Sequence, residues 1–151
     1  VGAEMDCFFE NRDKWAVIHA CKSPCHQRAV GYSGNLPRNH PNYLIFEQKN
    51  HLFLNMVDMD MPLMHEFTGP IVVAALNFVE SKNGSKNVLI HCNLGQSRSP
   101  ALALLFLAKR ANSISNESYE VAKEEFLKLY PGYNPGNGIE LYLRKHWNNL
   151  E

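Results

Sequence analysis

Ten consecutive residues, HCNLGQSRSP from His91 to Pro100, combine groups that could bind an anion and attack it. Cys92 precedes Arg98 by six positions, a spacing that lets a curled loop direct both side chains at one ligand. The planar guanidinium of Arg98 matches two oxygens of a phosphate group. Gly95 permits the positive φ that turns backbone amides inward. The pattern therefore predicts an anion-binding loop with a thiol at its floor.

The residues on either side of this loop indicate how it is positioned. The apolar run 88–90 predicts a central strand, and Ser99 and Pro100 predict the cap and the first residue of a helix. A loop that joins a strand to a helix N-terminus directs backbone N–H groups and the positive end of the helix dipole at one point. That field favours the thiolate form of Cys92, and we expect the Ser99 hydroxyl to hydrogen-bond the sulfur.

The stretch His91-Cys92-x5-Arg98-Ser99 resembles the signature of the cysteine-based protein tyrosine phosphatases, and its wording is most similar to the dual-specificity branch. The resemblance is close around the loop and looser from about Leu52 to the C-terminus. The stretch HACKSPCH near the N-terminus is similar to bacterial and phage members. The resemblance implies a phosphocysteine intermediate and no metal or other cofactor. The residues that would bind phosphate are Asn93, Leu94, Gly95, Gln96, Ser97 and Arg98.

The resemblance also implies a general acid, an aspartate on a mobile loop upstream of the cysteine. Asp58 and Asp60 both stand there, directly after an apolar run. Asp58 matches the bacterial members and is our first choice, while Asp60 fits the spacing of common dual-specificity enzymes. Asn137 loosely matches an asparagine that steadies the loop in the family. We expect His91 to pack and hydrogen-bond behind the loop.

Two other classes of protein could use such a loop. A rhodanese-like sulfurtransferase or an arsenate reductase has a related cysteine loop, and a phosphate-binding module needs no turnover. The Ser-Pro helix start and the upstream aspartate favour the phosphatase over the first class. The intact Cys92 and Arg98 argue against the second.

The charge of the chain bears on its partners. Acidic and basic residues balance at 15 each, which gives no global attraction to nucleic acid or to an anionic membrane. The loop has no lysine between Cys92 and Arg98, which disfavours polyanionic inositol lipids and RNA 5′-triphosphates. We expect a phosphorylated protein, on tyrosine or on serine and threonine, or a small phosphometabolite, and a chain that acts as a monomer.

The cysteine content predicts a cytoplasmic setting, because four cysteines in 151 residues are too few for a disulfide scaffold. The acidic N-terminal residues do not resemble a signal peptide, and the longest apolar stretch, 100–108, is too short to span a membrane. A regulatory disulfide between Cys92 and another cysteine is conceivable, because thiolates of low pKa oxidise readily.

A cluster of possible metal ligands lies near the N-terminus: His19, Cys21, Cys25 and His26. The spacing of the two cysteines suits zinc. His26 directly follows Cys25, however, and adjacent residues rarely reach one ion. We therefore expect no metal.

The remaining pattern predicts one α/β domain over residues 1–151. We expect strands at 15–18, 43–46, 52–57 and 88–90, a long loop at 21–41, a connector at 58–65, and helices at 66–81, at 99–111, from about 117 to 130, and at 139–147. Ser115 or Asn116 would cap the third helix. Its inner face would hold Tyr119, Ala122, Phe126 and Leu129. This order favours a central mixed, largely parallel sheet flanked by helices, with the loop at the carboxyl end of the 88–90 strand.

Overall fold

A computed structural model describes residues 1–8 and 13–151 of the chain. Its strands are β1 (Trp15–His19), β2 (Ile45–Gln48), β3 (His51–Leu54) and β4 (Asn87–His91). Its α-helices are α1 (Gln27–Val30), α2 (His65–Lys82), α3 (Arg98–Lys109), α4 (Tyr119–Leu129) and α5 (Asn137–His146). Short 3-10 helices cover Glu4–Phe8 and Trp147–Asn149, and a tight helical turn covers Lys22–His26.

The four strands form one sheet in the order β2-β3-β1-β4. β1 is parallel to both of its neighbours, and β2 adds an antiparallel edge against β3. β1 has the composition of a strand covered on both faces, since Ala16, Val17 and Ile18 are fully buried. Gly2 makes a parallel bridge to His91, so N-terminal residues lie beside β4. The mixed, largely parallel sheet expected from the sequence is confirmed.

The helices that flank the sheet follow the apolar spacing of their sequences. Ile71, Val72, Ala75, Leu76 and Val79 recur at three- and four-residue intervals in α2 and are buried. The α3 residues Leu102 and Leu105 are buried in the same core. Each such side chain contributes about 1.5–3 kcal/mol relative to an exposed one. α3 is therefore anchored directly behind the loop that it follows.

Several element boundaries differ from the expectations. The 21–41 segment is not all loop, because it begins with the turn Lys22–His26 and α1. β2 lies two residues later than expected, and β3 ends at Leu54. Asn55 then leaves the regular strand and bonds through its backbone N–H to Leu44 and through its side-chain amide to the Tyr43 carbonyl.

Two expectations about α4 are wrong. Its N-cap is Ser118, whose hydroxyl accepts the Val121 amide at 3.3 Å, whereas Ser115 stabilises the preceding turn by accepting the Glu117 amide. Leu129 does not line the inner face, since it is the last residue of the helix and is 64% exposed. Tyr119, Ala122 and Phe126 are buried as expected.

The cysteines divide into two pairs. Cys7 and Cys25 form a disulfide, and Cys21 and Cys92 are free and buried. A single bond of this kind does not make a disulfide scaffold. Among the described residues, no helix combines the length and the apolar character that crossing a membrane requires.

Candidate active site

The residues expected to attack and bind phosphate lie together between β4 and α3. Cys92 directly follows β4 and is 2% exposed. The Ser99 hydroxyl donates to its sulfur at 3.1 Å, as the sequence predicted. Ser99 is not the helix cap, however: α3 begins at Arg98, with Ser97 as the N-cap residue. The helix begins two residues earlier than predicted, which leaves Ser99 inside the first helical turn with its hydroxyl on the sulfur.

The environment of Cys92 favours the thiolate. Burial by itself would raise the pKa of this thiol. The Ser99 hydroxyl, the amides of Ser99 and Gly95, and the charge of Arg98 act in the opposite sense, and together they lower the pKa below its ordinary value. The groups that stabilise the negative sulfur would also stabilise a bound anion.

The Arg98 side chain is only partly hydrogen-bonded and keeps N–H donors for a ligand. Its Nη1 donates to the Met56 carbonyl at 3.0 Å, and its Nη2 donates to Oδ1 of Asn93. Its Nε is buried and has no hydrogen-bond partner among the residues that the structure describes. A buried donor without a partner is costly, and a phosphate oxygen would satisfy it.

The loop backbone between these residues has the predicted shape. Gly95 has a φ of +70°, the left-handed conformation that glycine adopts readily. A side chain at this position would also come within 2.9 Å of the Gly2 carbonyl oxygen. Leu94 and Gln96 are exposed at the rim of the loop, and Ser97 is buried with its hydroxyl accepting the Gly136 amide at 2.8 Å.

Distant segments hold the loop in this shape. The Gly2 carbonyl accepts the Cys92 amide at 3.3 Å, and the Tyr130 hydroxyl donates to the Gly95 carbonyl at 2.8 Å. The amide of Asn134 donates to the Gln96 carbonyl at 2.8 Å. These supports could not be predicted from the sequence, because an aromatic residue at a helix end carries no local sign that its hydroxyl will reach a loop 35 residues away.

The two candidate acids lie on the exposed segment 57–62, here called the acid segment, which Gly136 and the first two residues of α5 hold in place. The Asp58 carboxylate packs against Gly136, at a distance that leaves no room for a side chain there. The Gly138 amide donates to the Met59 carbonyl, and the Asn137 side chain donates to the Asp60 carbonyl, both at 2.8 Å. Asn137 therefore bonds to the acid segment, whereas the sequence had suggested a contact with the phosphate-binding loop.

His91 lies behind the loop, fully buried, as expected. Its Nε2 is 2.6 Å from Nδ1 of His19 and 3.9 Å from the Cys25 sulfur. Burial lowers the pKa of His91 and, with the charges of His91 and His51, lowers that of His19 to about 2. Both rings are therefore neutral at physiological pH.

The 19–41 segment also reaches the loop. The Asn93 side chain donates to the Ser23 carbonyl at 3.1 Å, and the Lys22 amide donates to the Met56 carbonyl at the same distance. His26 is turned away from this contact, and its ring bonds to the Tyr32 hydroxyl and to the Asn42 carbonyl. His26 therefore does not join the metal-ligand set considered from the sequence.

Comparison with known proteins places this arrangement in a family. The family model described as "Dual specificity phosphatase, catalytic domain" matches residues 17–134. Tyrosine-protein phosphatase vhp-1 of Caenorhabditis elegans is 31% identical over 91 residues, which are 60% of this chain and 13% of that protein. Human dual specificity protein phosphatase 16 is 32% identical over 66 residues, which are 43% of this chain and 10% of that protein. The chain thus spans only about an eighth or less of these relatives.

The fold is similar to solved phosphatase structures. The crystal structure of DUSP15 has a TM-score of 0.61 and 16% identity, and the match covers 97% of this chain and 80% of that one. At this level of identity the likeness concerns the fold alone. It agrees with a single α/β unit that carries the loop between a strand and a helix.

Proposed function

Because the chain belongs to the dual specificity phosphatase catalytic-domain family, we propose that it hydrolyses phosphate monoesters through a phosphocysteine formed on Cys92. One observation carries the proposal: the Cys92 thiol of lowered pKa shares a loop with the buried, unpartnered Nε of Arg98. A phosphate bound there would meet a nucleophile and a cationic donor together.

In the first step, the Cys92 thiolate attacks phosphorus, an S–P bond forms, and the P–O bond to the leaving group breaks. Asp58 gives a proton to the leaving oxygen. The amides of residues 93–98 and Arg98 stabilise the charge on the three other oxygens. In the second step, water attacks phosphorus, Asp58 accepts a proton from it, and the thiolate leaves with the Ser99 hydroxyl donating to it.

Contacts on the two candidate acids support Asp58 over Asp60. The Asp58 carboxylate packs against Gly136, whose amide donates to the Ser97 hydroxyl in the loop. Asp60 is attached through its backbone carbonyl to Asn137, farther along the same segment. Asn137 would act as a positioning residue for the acid segment.

The exposed side chains around the loop support a phosphorylated protein as substrate. Leu94 is 74% exposed, and Met59 and Met61 on the acid segment are 44% and 73% exposed. Exposed apolar groups beside a catalytic loop favour contact with a protein surface over a small hydrophilic phosphometabolite. Tyrosine and serine or threonine esters both remain candidates. The cytoplasmic setting, the monomeric state, the absence of nucleic-acid and membrane partners, and the single domain over 1–151 remain predictions.

The test is a pH–rate profile for p-nitrophenyl phosphate and a phosphotyrosine peptide. Turnover should rise with pH as Cys92 ionises and fall as the acid loses its proton. Cys92→Ser should lose at least about 10⁴-fold in kcat. Asp58→Asn should lose the alkaline limb and about 10²–10⁴-fold in kcat on the peptide ester, with Asp60→Asn as its matched control.

Other outcomes would redirect the proposal. Loss of the alkaline limb in Asp60→Asn alone would move the acid role to Asp60. A persulfide on Cys92 after incubation with thiosulfate, without phosphatase turnover, would indicate sulfur transfer. Reduction of arsenate in place of phosphate release would indicate an arsenate reductase. Tight vanadate binding without hydrolysis would indicate a phosphate-binding module.

A further inference from the structure

Behind the catalytic loop, residues 92–98, lies a group of sulfur and nitrogen atoms that the proposed reaction does not use. Cys7 Sγ, a ring nitrogen of His19 and Cys25 Sγ lie within 4.8 Å of one another. These three residues, here called the Cys/His cluster, come from the N-terminal 3-10 helix, β1 and the turn after β1. We propose that their reduced form binds a zinc-class divalent cation.

The chemistry of the donor set favours this class of ion. Two thiolates and one imidazole suit zinc, which prefers sulfur and nitrogen in a tetrahedron. With ordinary zinc–sulfur and zinc–nitrogen bond lengths, neighbouring ligand atoms lie about 3.3–3.8 Å apart. The three ligand atoms now lie within 4.8 Å of one another. To reach the tetrahedral spacing, the two sulfurs must separate after reduction, and the side chains must otherwise move by only about 1 Å.

Hydrogen bonds to two other histidines already fix the orientation of the His19 ring. Its Nδ1 is hydrogen-bonded to Nε2 of His91, and its Nε2 is 2.8 Å from Nδ1 of His51. Whichever nitrogen takes the metal, the other keeps a hydrogen bond. Histidine ligands in metal sites are held by such a second bond.

The cluster has a route from solvent. Cys7 and His19 border a surface pocket that His51, Lys49 and Gln48 also line. A water from this pocket would supply the fourth ligand. A second group, Cys21, Cys25 and His91, shares Cys25, but all three of its residues are buried and it borders none of the pockets described, whereas Cys7 of the Cys/His cluster is half-buried and lies at the pocket. Access therefore favours the cluster with Cys7 over the buried group.

The cation and the disulfide are alternative states of the same sulfurs. A cellular dithiol, or a phosphine in the test tube, supplies two electrons to the Cys7–Cys25 bond, and two protons complete the thiols. Zinc then displaces those two protons and forms two Zn–S bonds. Transfer of two electrons from the thiolates to another disulfide, which leaves as two thiols, would restore the Cys7–Cys25 bond and release the ion.

A cation at this position would support the catalytic loop from behind. Cys7 belongs to the N-terminal segment whose Gly2 amide donates to the Ile90 carbonyl and whose Glu4 amide donates to the Asn93 carbonyl. Tying Cys7 to β1 through the metal would hold this segment against β4 and the loop. The effect is on stability, and no step of the proposed hydrolysis passes through the ion.

The test is a metal titration of phosphine-reduced, full-length protein in a Cys92→Ser background, so that the nucleophile cannot bind the ion. Cobalt(II) reports on geometry, because tetrahedral thiolate sites give intense visible bands, and zinc should displace it. We expect one equivalent to bind and to raise the unfolding temperature. The disulfide form of the same protein should show neither effect.

Variants identify the ligands. Cys7→Ser should weaken binding at least tenfold, whereas its matched control Cys21→Ser should bind like the parent. Loss of binding in Cys21→Ser with retention in Cys7→Ser would overturn the proposal in favour of the buried group. Equal binding by the reduced and disulfide forms would also overturn it, and this comparison needs no substitution in the cluster.

Discussion

The catalytic loop and the Cys/His cluster both collect sulfur and nitrogen atoms around one point, but they are assembled in opposite ways. The loop takes its reactive groups, Cys92, Arg98 and Ser99, from eight consecutive residues. The cluster takes Cys7, His19 and Cys25 from three separate elements. In the loop, the Arg98 Nε has no partner within residues 1–8 and 13–151, while the sulfurs of Cys7 and Cys25 are bonded to each other.

This difference indicates what each region is for. A group with an unsatisfied buried donor is prepared for a ligand that comes and goes, since binding removes the cost. A group whose members satisfy each other is prepared for a stable state, a disulfide or a resident ion. Substitutions should therefore reduce turnover in the first region and stability in the second.

Apart from loss of the nucleophile or of the general acid, the largest effect should come from Arg98→Lys. Lysine keeps the charge but cannot donate to the Met56 carbonyl and to two phosphate oxygens in the same plane. We expect kcat/KM on p-nitrophenyl phosphate to fall about 10²–10³-fold. Arg110→Lys, which alters a guanidinium paired with Glu80 on the helices, is the matched control and should stay near the parent value. A loss of less than tenfold at Arg98 would show that charge alone suffices.

The loop could be predicted because its chemistry is local. The spacing of Cys92 and Arg98, the positive φ of Gly95 and the Ser99 contact with sulfur all follow from one short stretch, and the structure has the φ and the contact. The fold class followed from the order of apolar runs. The start of α3 was misplaced by two residues, because Ser97 and Ser99 are equally good caps by composition.

Features that depend on distant partners could not be predicted. Nothing near Tyr130 indicates that its hydroxyl reaches the Gly95 carbonyl, and nothing near Cys7 indicates that it forms a disulfide with Cys25. The adjacency of Cys25 and His26 suggested one ligand set, but the helical turn directs His26 to Tyr32 instead. Leu129 fitted the apolar spacing of α4, but it is the last residue of the helix and its side chain is exposed to solvent.

A second prediction concerns Gly138, which holds the acid segment in place. A methyl group at Gly138 would overlap the carbonyl oxygens of Met59 and Met61, so Gly138→Ala should push the acid segment outward. We expect unfolding free energy to fall by about 1–3 kcal/mol. Turnover of an alkyl phosphate, whose leaving group needs protonation, should fall about 10–100-fold.

The control for that change is Gly132→Ala, where an added methyl would meet Tyr130 at an ordinary 3.5 Å. It should leave both quantities close to the parent. The discriminating measurement is the ratio of p-nitrophenyl to alkyl phosphate turnover, which should rise only in Gly138→Ala. A fall in stability with an unchanged ratio would mean that the acid segment keeps its position.

A third prediction concerns the thiolate. The Ser99 hydroxyl donates to the Cys92 sulfur and lowers the thiol pKa, so Ser99→Ala should raise that pKa. Hydrogen bonds to charged groups contribute about 1.5–3 kcal/mol, and the thiolate loses this stabilisation in the variant. The acid limb of kcat/KM should therefore shift to higher pH.

The midpoint of iodoacetamide alkylation against pH measures the same quantity without turnover. Ser97→Ala, whose hydroxyl accepts the Gly136 amide, should leave the midpoint unchanged. If both variants shift it equally, the loop as a whole sets the thiol pKa rather than the single Ser99 contact.

The smallest expected effect lies at Asn93, which joins the two regions. Its Oδ1 accepts from Arg98 and its Nδ2 donates to the Ser23 carbonyl, two residues before Cys25. Asn93→Ala removes both bonds, but the Met56 carbonyl still orients the Arg98 guanidinium. Since one such bond contributes about 0.5–1.5 kcal/mol, KM for p-nitrophenyl phosphate should rise about two- to tenfold with little change in kcat.

A double-mutant cycle with Cys25→Ser then measures the energetic coupling between Asn93 and Cys25. Additive changes in log KM would mean that the catalytic loop works independently of the Cys/His cluster. A smaller effect of Cys25→Ser in the Asn93→Ala background would mean that the state of Cys25 affects Arg98 through the Asn93 side chain.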